Sequence, residues 1–259
     1  MAIGLAMAWA ASAGVASAQD EVAVKGRAVL SKYKGAVVTI QAVLKTSFSM
    51  PGFGSEANET KSEATGTVIS ASGLTVMALS SIDPSAMMQG MGGVLGSGFT
   101  MDAQVQDVKI LLEDGTEVAS EVVLRDKEWD LAFIRPQAKP AADMVAANLE
   151  DSATIDVLDQ VIALNRLGRV ARRVHSASVE RIDAVVERPR RFYIPGNDNT
   201  TTGLGSPAFS LDGKLIGVFV MRALQGVDAA DMSDDDSPVS VILLPASEIL
   251  EVSKQIPPK

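Results

Sequence analysis

The chain has 259 residues, 47% hydrophobic and 21% charged, with a formal net charge of −9, one histidine and no cysteine. The missing cysteines exclude disulfides, thiol nucleophiles, iron–sulfur clusters and thiolate zinc sites, and a lone His175 excludes a multi-histidine metal centre. The acidic balance argues against a nucleic-acid partner, which demands a basic footprint, so neither nucleic acid, metal nor cofactor is expected.

In chain order, residues 1–18 are small and apolar and close in Ala16-Ser17-Ala18, the pattern of a secretory signal cleaved after Ala18, although no Lys or Arg precedes the apolar run. The run is shorter than the about 20 apolar residues that span a bilayer. An exported protein, periplasmic or secreted, with no transmembrane span after cleavage is the expectation. An amphipathic stretch with Val22, Val29, Leu30 and Tyr33 leads into a strand over 36–44. Residues 65–70 and 74–79 flank Ser72-Gly73 as a hairpin. Val108, Ile110 and Leu112 alternate before the turn Glu113-Asp114-Gly115-Thr116, and 118–124 returns. A short apolar strand over 131–134 precedes a Pro/Ala-rich linker over 136–147. The second half repeats the style, with strands over 160–164, 174–182, 191–194, 215–221 and 239–244. Pro245 then opens a helix with Ile249, Val252 and Ile256 on one face. Many short strands in two halves predict an all-β protein of the two-barrel or sandwich kind.

Five segments in one order resemble the HtrA/Deg branch of the trypsin-like serine proteases. Ala64-Thr65-Gly66-Thr67-Val68-Ile69-Ser70 with Gly73-Leu74 is similar to that family's G-S-G-F-I-I-S-x-x-G-Y strand pair, and Val108 to Gly115 to its V-x-L-x-D-G hairpin. Asp126 to Ile134 resembles D-x-x-x-D-L-A-V-L, the segment of the catalytic aspartate. Asp151-Ser152 through Asn165 resembles the approach to the second barrel, and Ser206-Pro207 through Ile216-Gly217 resembles G-P-L-L-N-x-x-G-x-V-I-G. The resemblance covers roughly residues 30–256. It implies two six-stranded-type β-barrels with a C-terminal helix, one over 30–140 and the other, helix included, over 150–256. Together these form one trypsin-like peptidase domain with no PDZ-sized extension.

The family's chemistry needs a serine nucleophile, a histidine base and an aspartate that orients it. Asp130 stands at the aspartate position, although it also suits a polar cap between a turn and the 131–134 strand. Ser80 takes the histidine position in Gly73-Leu74-Thr75-Val76-Met77-Ala78-Leu79-Ser80, and His175 falls in a strand of the second half. Counting back from Pro207 against G-N-S-G-G-P puts Leu204 at the serine, and hydrocarbon cannot attack a carbonyl. The resemblance therefore implies a degenerate triad at Ser80, Asp130 and Leu204, with none of the catalytic machinery intact. The expected function is that of an exported pseudoprotease that binds a peptide or protein through the inherited cleft, with Gly203, Leu204, Gly205 and Ser206 in contact. The alternative is a serine-type endopeptidase with an unrecognised nucleophile such as Ser206. A Ser–Lys dyad with Lys109 or Lys214 has no supporting spacing, and Asp198 is more simply part of a turn. A third reading gives the leading role to a Met-rich loop, 87–93, or to the arginines Arg166, Arg169, Arg172, Arg173, Arg181, Arg188, Arg190 and Arg191. Those arginines would hold an acidic partner or the chain's own acidic loop over 228–236. Nothing in the sequence specifies an oligomeric state.

Overall fold

The computed structural model describes residues 12–50, 54–83, 85, 100–196, 203–223 and 239–259. A helix, α1 (Ser12–Tyr33), crosses the expected cleavage position after Ala18 and precedes six strands: β1 (Val37–Met50), β2 (Gly54–Val68), β3 (Thr75–Ala78), β4 (Thr100–Leu111), β5 (Glu117–Asp126) and β6 (Leu131–Pro136). They close a barrel in the order β1-β2-β3-β6-β5-β4. Six more follow: β7 (Gln160–Arg166), β8 (His175–Val186), β9 (Phe192–Pro195), β10 (Pro207–Ser210), β11 (Leu215–Ala223) and β12 (Val239–Pro245). These close a second barrel in the order β10-β11-β12-β9-β8-β7, and α2 (Ala246–Ser253) ends the fold. The two six-stranded barrels and C-terminal helix are those the sequence predicts.

Burial explains the sequence patterns. Leu131 to Ile134 is an unbroken apolar run because β6 is covered on both faces. Ala132 and Ile134 point into the first barrel with Ile40, Met77 and Ile110, whereas Leu131 and Phe133 join a cluster between the barrels. That cluster collects Val76 and Trp129 from the first half and Leu164, Phe209, Val218 and Val220 from the second, with Val29 and Tyr33 of α1 and Ile249 and Val252 of α2. Each such side chain contributes about 1.5–3 kcal/mol over leaving it exposed. Tyr33 stacks on Phe209 with ring centroids 4.4 Å apart, which ties the N-terminal helix to the second barrel.

Several elements differ from expectation. β2 begins at Gly54, through a polar stretch whose residues from Asn58 to Lys61 are exposed, so no apolar alternation marks it. It is held by β1, in register from Val37↔Thr67 to Met50↔Gly54. Pro207–Ser210 is a strand too short to show a period. Ser80 lies in a 3-10 turn, Leu79–Ser81, beyond the end of β3. The Met-rich stretch 87–93, Asp198 and the acidic stretch 228–236 lie outside the described residues.

Polar contacts fasten the barrels at one seam. The buried Arg166 guanidinium donates to the carbonyls of Leu111 at 2.6 Å and Leu112 at 2.9 Å. Thr67 Oγ1 donates to Gly205 O at 2.7 Å. Gly205 has φ +86°, and a Cβ there would lie 2.1 Å from Thr65 O. Gly205→Ala is therefore expected to cost about 3 kcal/mol in urea unfolding. Gly115→Ala, with φ +87° and open space around it, should cost only the about 1–2 kcal/mol of the left-handed conformation. Equal losses would contradict close approach at the seam.

Candidate functional site

The site is built where the ends of β3 and β6 meet β11. Ala78 pairs with Leu131, so the register carries Ser80 alongside Asp130 just beyond the two strands. Asp126 Oδ1 accepts the N–H groups of Glu128 at 2.9 Å and Trp129 at 3.0 Å, closing a turn. Asp130 leaves that turn at φ 55°, left-handed backbone that aspartate tolerates better than most residues. Its carbonyl accepts the N–H of Leu79 at 2.8 Å. Asp130 is thus both the cap at the start of β6 and the centre of the site.

Its carboxylate is 8% exposed and carries three donors. Oδ1 accepts the Ser80 N–H at 2.6 Å, and Oδ2 accepts the Ser80 hydroxyl at 2.9 Å and the Met221 N–H at 2.9 Å. Burial raises the carboxyl to about 6, and the hydrogen bonds from Met221 and Ser80 oppose that rise without cancelling it. No imidazole takes part in this constellation.

Leu204 sits in the tight turn from Gly203 to Ser206, closed by Ser206 N–H to Gly203 O at 3.1 Å. The Gly205 N–H donates to Phe219 O at 2.7 Å, and the Phe219 N–H to Ser206 O at 2.9 Å, which pins the turn to β11. Half-buried Leu204 lines a cleft of about 310 Å³ between the barrels, with Gly203, Thr39, Thr65, Ser81 and Arg166 also in its wall. Ser206 is fully buried, and its hydroxyl donates to Asn165 Oδ1 at 3.1 Å; the same oxygen accepts the Thr65 hydroxyl at 2.9 Å.

Residues 26–218 match the description of a trypsin-like peptidase domain. The chain belongs to that family. Among solved structures it resembles an HtrA-type protease, a serine-to-alanine variant of AlgW with a tripeptide, at a TM-score of 0.53 and 16% identity. The match covers 88% of this chain and 62% of that one, so this chain spans less than two thirds of the protease's length; the likeness is one of fold. No curated protein sequence matches.

Other residues singled out from the sequence fall elsewhere in this trypsin-like frame. His175 opens β8, with Nε2 3.2 Å from Val37 O, and lines a separate cavity of about 460 Å³ with Val37, Leu112, Glu113, Asp143 and Met144. Burial lowers its pKa, against the pull of the Val37 carbonyl and Glu113. Among the described residues no hydrogen bond joins it to Asp130. The Lys109 ammonium pairs with Glu117 at 2.9 Å and that of Lys214 with Asp151 at 3.5 Å, neither with a serine hydroxyl. Arg169 and Arg173 converge on Glu63 at 2.8 Å and 2.7 Å. Burial pushes that carboxyl up, but the bonds from Arg169, Arg173 and Gln41 outweigh it and hold it at about 2. Among the described residues no cluster of three His, Cys, Asp or Glu could hold a metal, and no helix is long and apolar enough to cross a membrane.

The Met221 N–H, Asn165 and Glu63 escape sequence reasoning. A backbone donor has no residue signature, Asn165 appears only as the end of a family-like segment, and Glu63 lies in the polar half of β2.

Because folding raises the Asp130 carboxyl from 3.8 to about 6, the folded chain binds that proton more tightly than the unfolded one. The stability this group contributes is complete below about pH 4 and lost as pH rises through 6, about 3 kcal/mol over the window. Ser80→Ala removes a donor that favours the carboxylate, so Asp130 should titrate above about 6 in carboxyl-carbon NMR. A midpoint that falls toward 3.8 would contradict this arrangement.

Proposed function

We propose that this chain is an exported, non-catalytic member of the trypsin-like peptidase family that holds an extended segment of polypeptide in the cleft between its barrels. The observation that carries the reading is the occupation of the Asp130 carboxylate. Ser80 donates to it where the family pattern has a histidine, and Leu204 stands at the nucleophile position. A hydroxyl in that place takes no proton from a nucleophile at neutral pH, and Leu204 has none to give. Ser206, the one serine of the same turn, is fully buried and engaged with Asn165, which speaks against its attacking a substrate carbonyl.

Binding needs none of these groups. β10 pairs with β11 only as far as Pro207↔Val218, whereas β12 follows the other edge of β11 to Ala223. Beyond Phe219, the Met221 N–H turns to Asp130, and among the described residues no strand pairs with that edge. An extended peptide can add there as a strand, through backbone bonds that require no triad. Leu204 lines the inter-barrel cleft together with Gly203 and Thr65.

Unfolded casein incubated with the protein should stay intact, and the Asp130→Ala variant should give the same record. Extended peptides should bind measurably in isothermal titration. Casein fragments that vanish in the Asp130→Ala variant would establish a working active site, and a serine-type endopeptidase would then be the correct reading. Exported material should begin at Gln19 in N-terminal sequencing; retention of residues 1–18 in the mature protein would refute a cleaved signal.

A further inference from the structure

We infer that the open edge of β11 selects polypeptide segments bearing a carboxylate side chain, held there by Arg222 with Arg190; this rests on the peptide-binding reading above. Arg222 follows Met221, whose N–H marks the site, so it stands on the strand edge that a peptide would join. Its guanidinium carbon lies 4.6 Å over the Trp129 ring and 5.2 Å over the Phe192 ring. Arg190 reaches the same Trp129 ring, at 5.7 Å. Trp129 is 2% exposed and packs edge-on to Phe192 at 6.4 Å, so the two rings make a fixed platform. Cation–π contact with both rings restrains the guanidinium, whose fork of N–H donors matches a carboxylate.

The charges on this platform are unmatched. Arg169 and Arg173 share Glu63, Arg191 reaches Glu187 at 3.6 Å, and Arg166 is consumed by main-chain carbonyls. Among the described residues neither Arg222 nor Arg190 forms an ion pair, and the buried Nη1 of Arg222 has no hydrogen-bond partner. Asp130, next to Trp129 in sequence, has both oxygens engaged by Ser80 and Met221. The chain as a whole is acidic, so an anionic ligand gains nothing from the overall field and depends on these two cations.

The test is fluorescence anisotropy with the full chain and three sets of labelled extended peptides. The sets are identical except for one Glu, Gln or Lys moved along an otherwise neutral Thr/Val sequence. At the favoured position Glu should bind about tenfold tighter than Gln, as a charge-assisted hydrogen bond provides, and the advantage should shrink with salt. Arg222→Gln should erase the Glu advantage while Gln peptides still bind. Arg190→Gln, at an exposed residue, should reduce the advantage partway, and it carries the test if Arg222→Gln unfolds. Equal binding of Glu and Gln peptides to the wild type, or a preference for Lys, overturns carboxylate selection and leaves peptide binding standing. Failure of every peptide to bind overturns both.

Discussion

One carboxylate organises this molecule. Asp130 receives a hydroxyl and an N–H from Ser80 and an N–H from Met221, so it links the end of β3 in the first barrel to β11 in the second. Its own carbonyl takes the Leu79 N–H, which fixes the 3-10 turn that presents Ser80. Removing a charged group of this kind from water is costly, and its raised pKa of about 6 measures how much of that cost the three donors leave unopposed.

The seam is fastened by further polar contacts. Arg166 of β7 reaches two carbonyls of the β4–β5 hairpin, Asn165 gathers the hydroxyls of Thr65 and Ser206, and Gly205 lets the turn carrying Leu204 press against β2. All but the Ser206–Asn165 bond cross from one barrel to the other, between closed sheets that expose no continuous edge. The exception among the described residues is the far half of β11, beyond its pairing with β10, where the Met221 N–H meets Asp130. A scaffold this tightly bonded holds its cleft open in one shape, which suits binding by strand addition.

Much of the fold was legible because burial writes itself into residue type. The run from Leu131 to Ile134, the hairpin around Gly115 and the face of Ile249 and Val252 on α2 all follow from which side of an element is covered. The polar start of β2 was not legible, since its pairing is imposed by β1 and not by a core. At the site, the proximity of Ser80 and Asp130 follows from the pairing of Ala78 with Leu131, which family-like segments anticipate. The third donor does not, because Met221 contributes only its backbone. The stacking of Arg222 on Trp129 joins residues far apart in the chain, and no local spacing announces it.

Acylation of a serine is the step that separates a binding cleft from a protease, and intact-mass spectrometry after exposure to a fluorophosphonate reads it directly. With Ser80 committed to Asp130 and Ser206 buried against Asn165, the proposed non-catalytic reading expects the mass of the protein to stay unchanged at every pH from mildly acidic to mildly basic. A stoichiometric adduct mapped to Ser80, Ser206 or any other serine would contradict the non-catalytic reading.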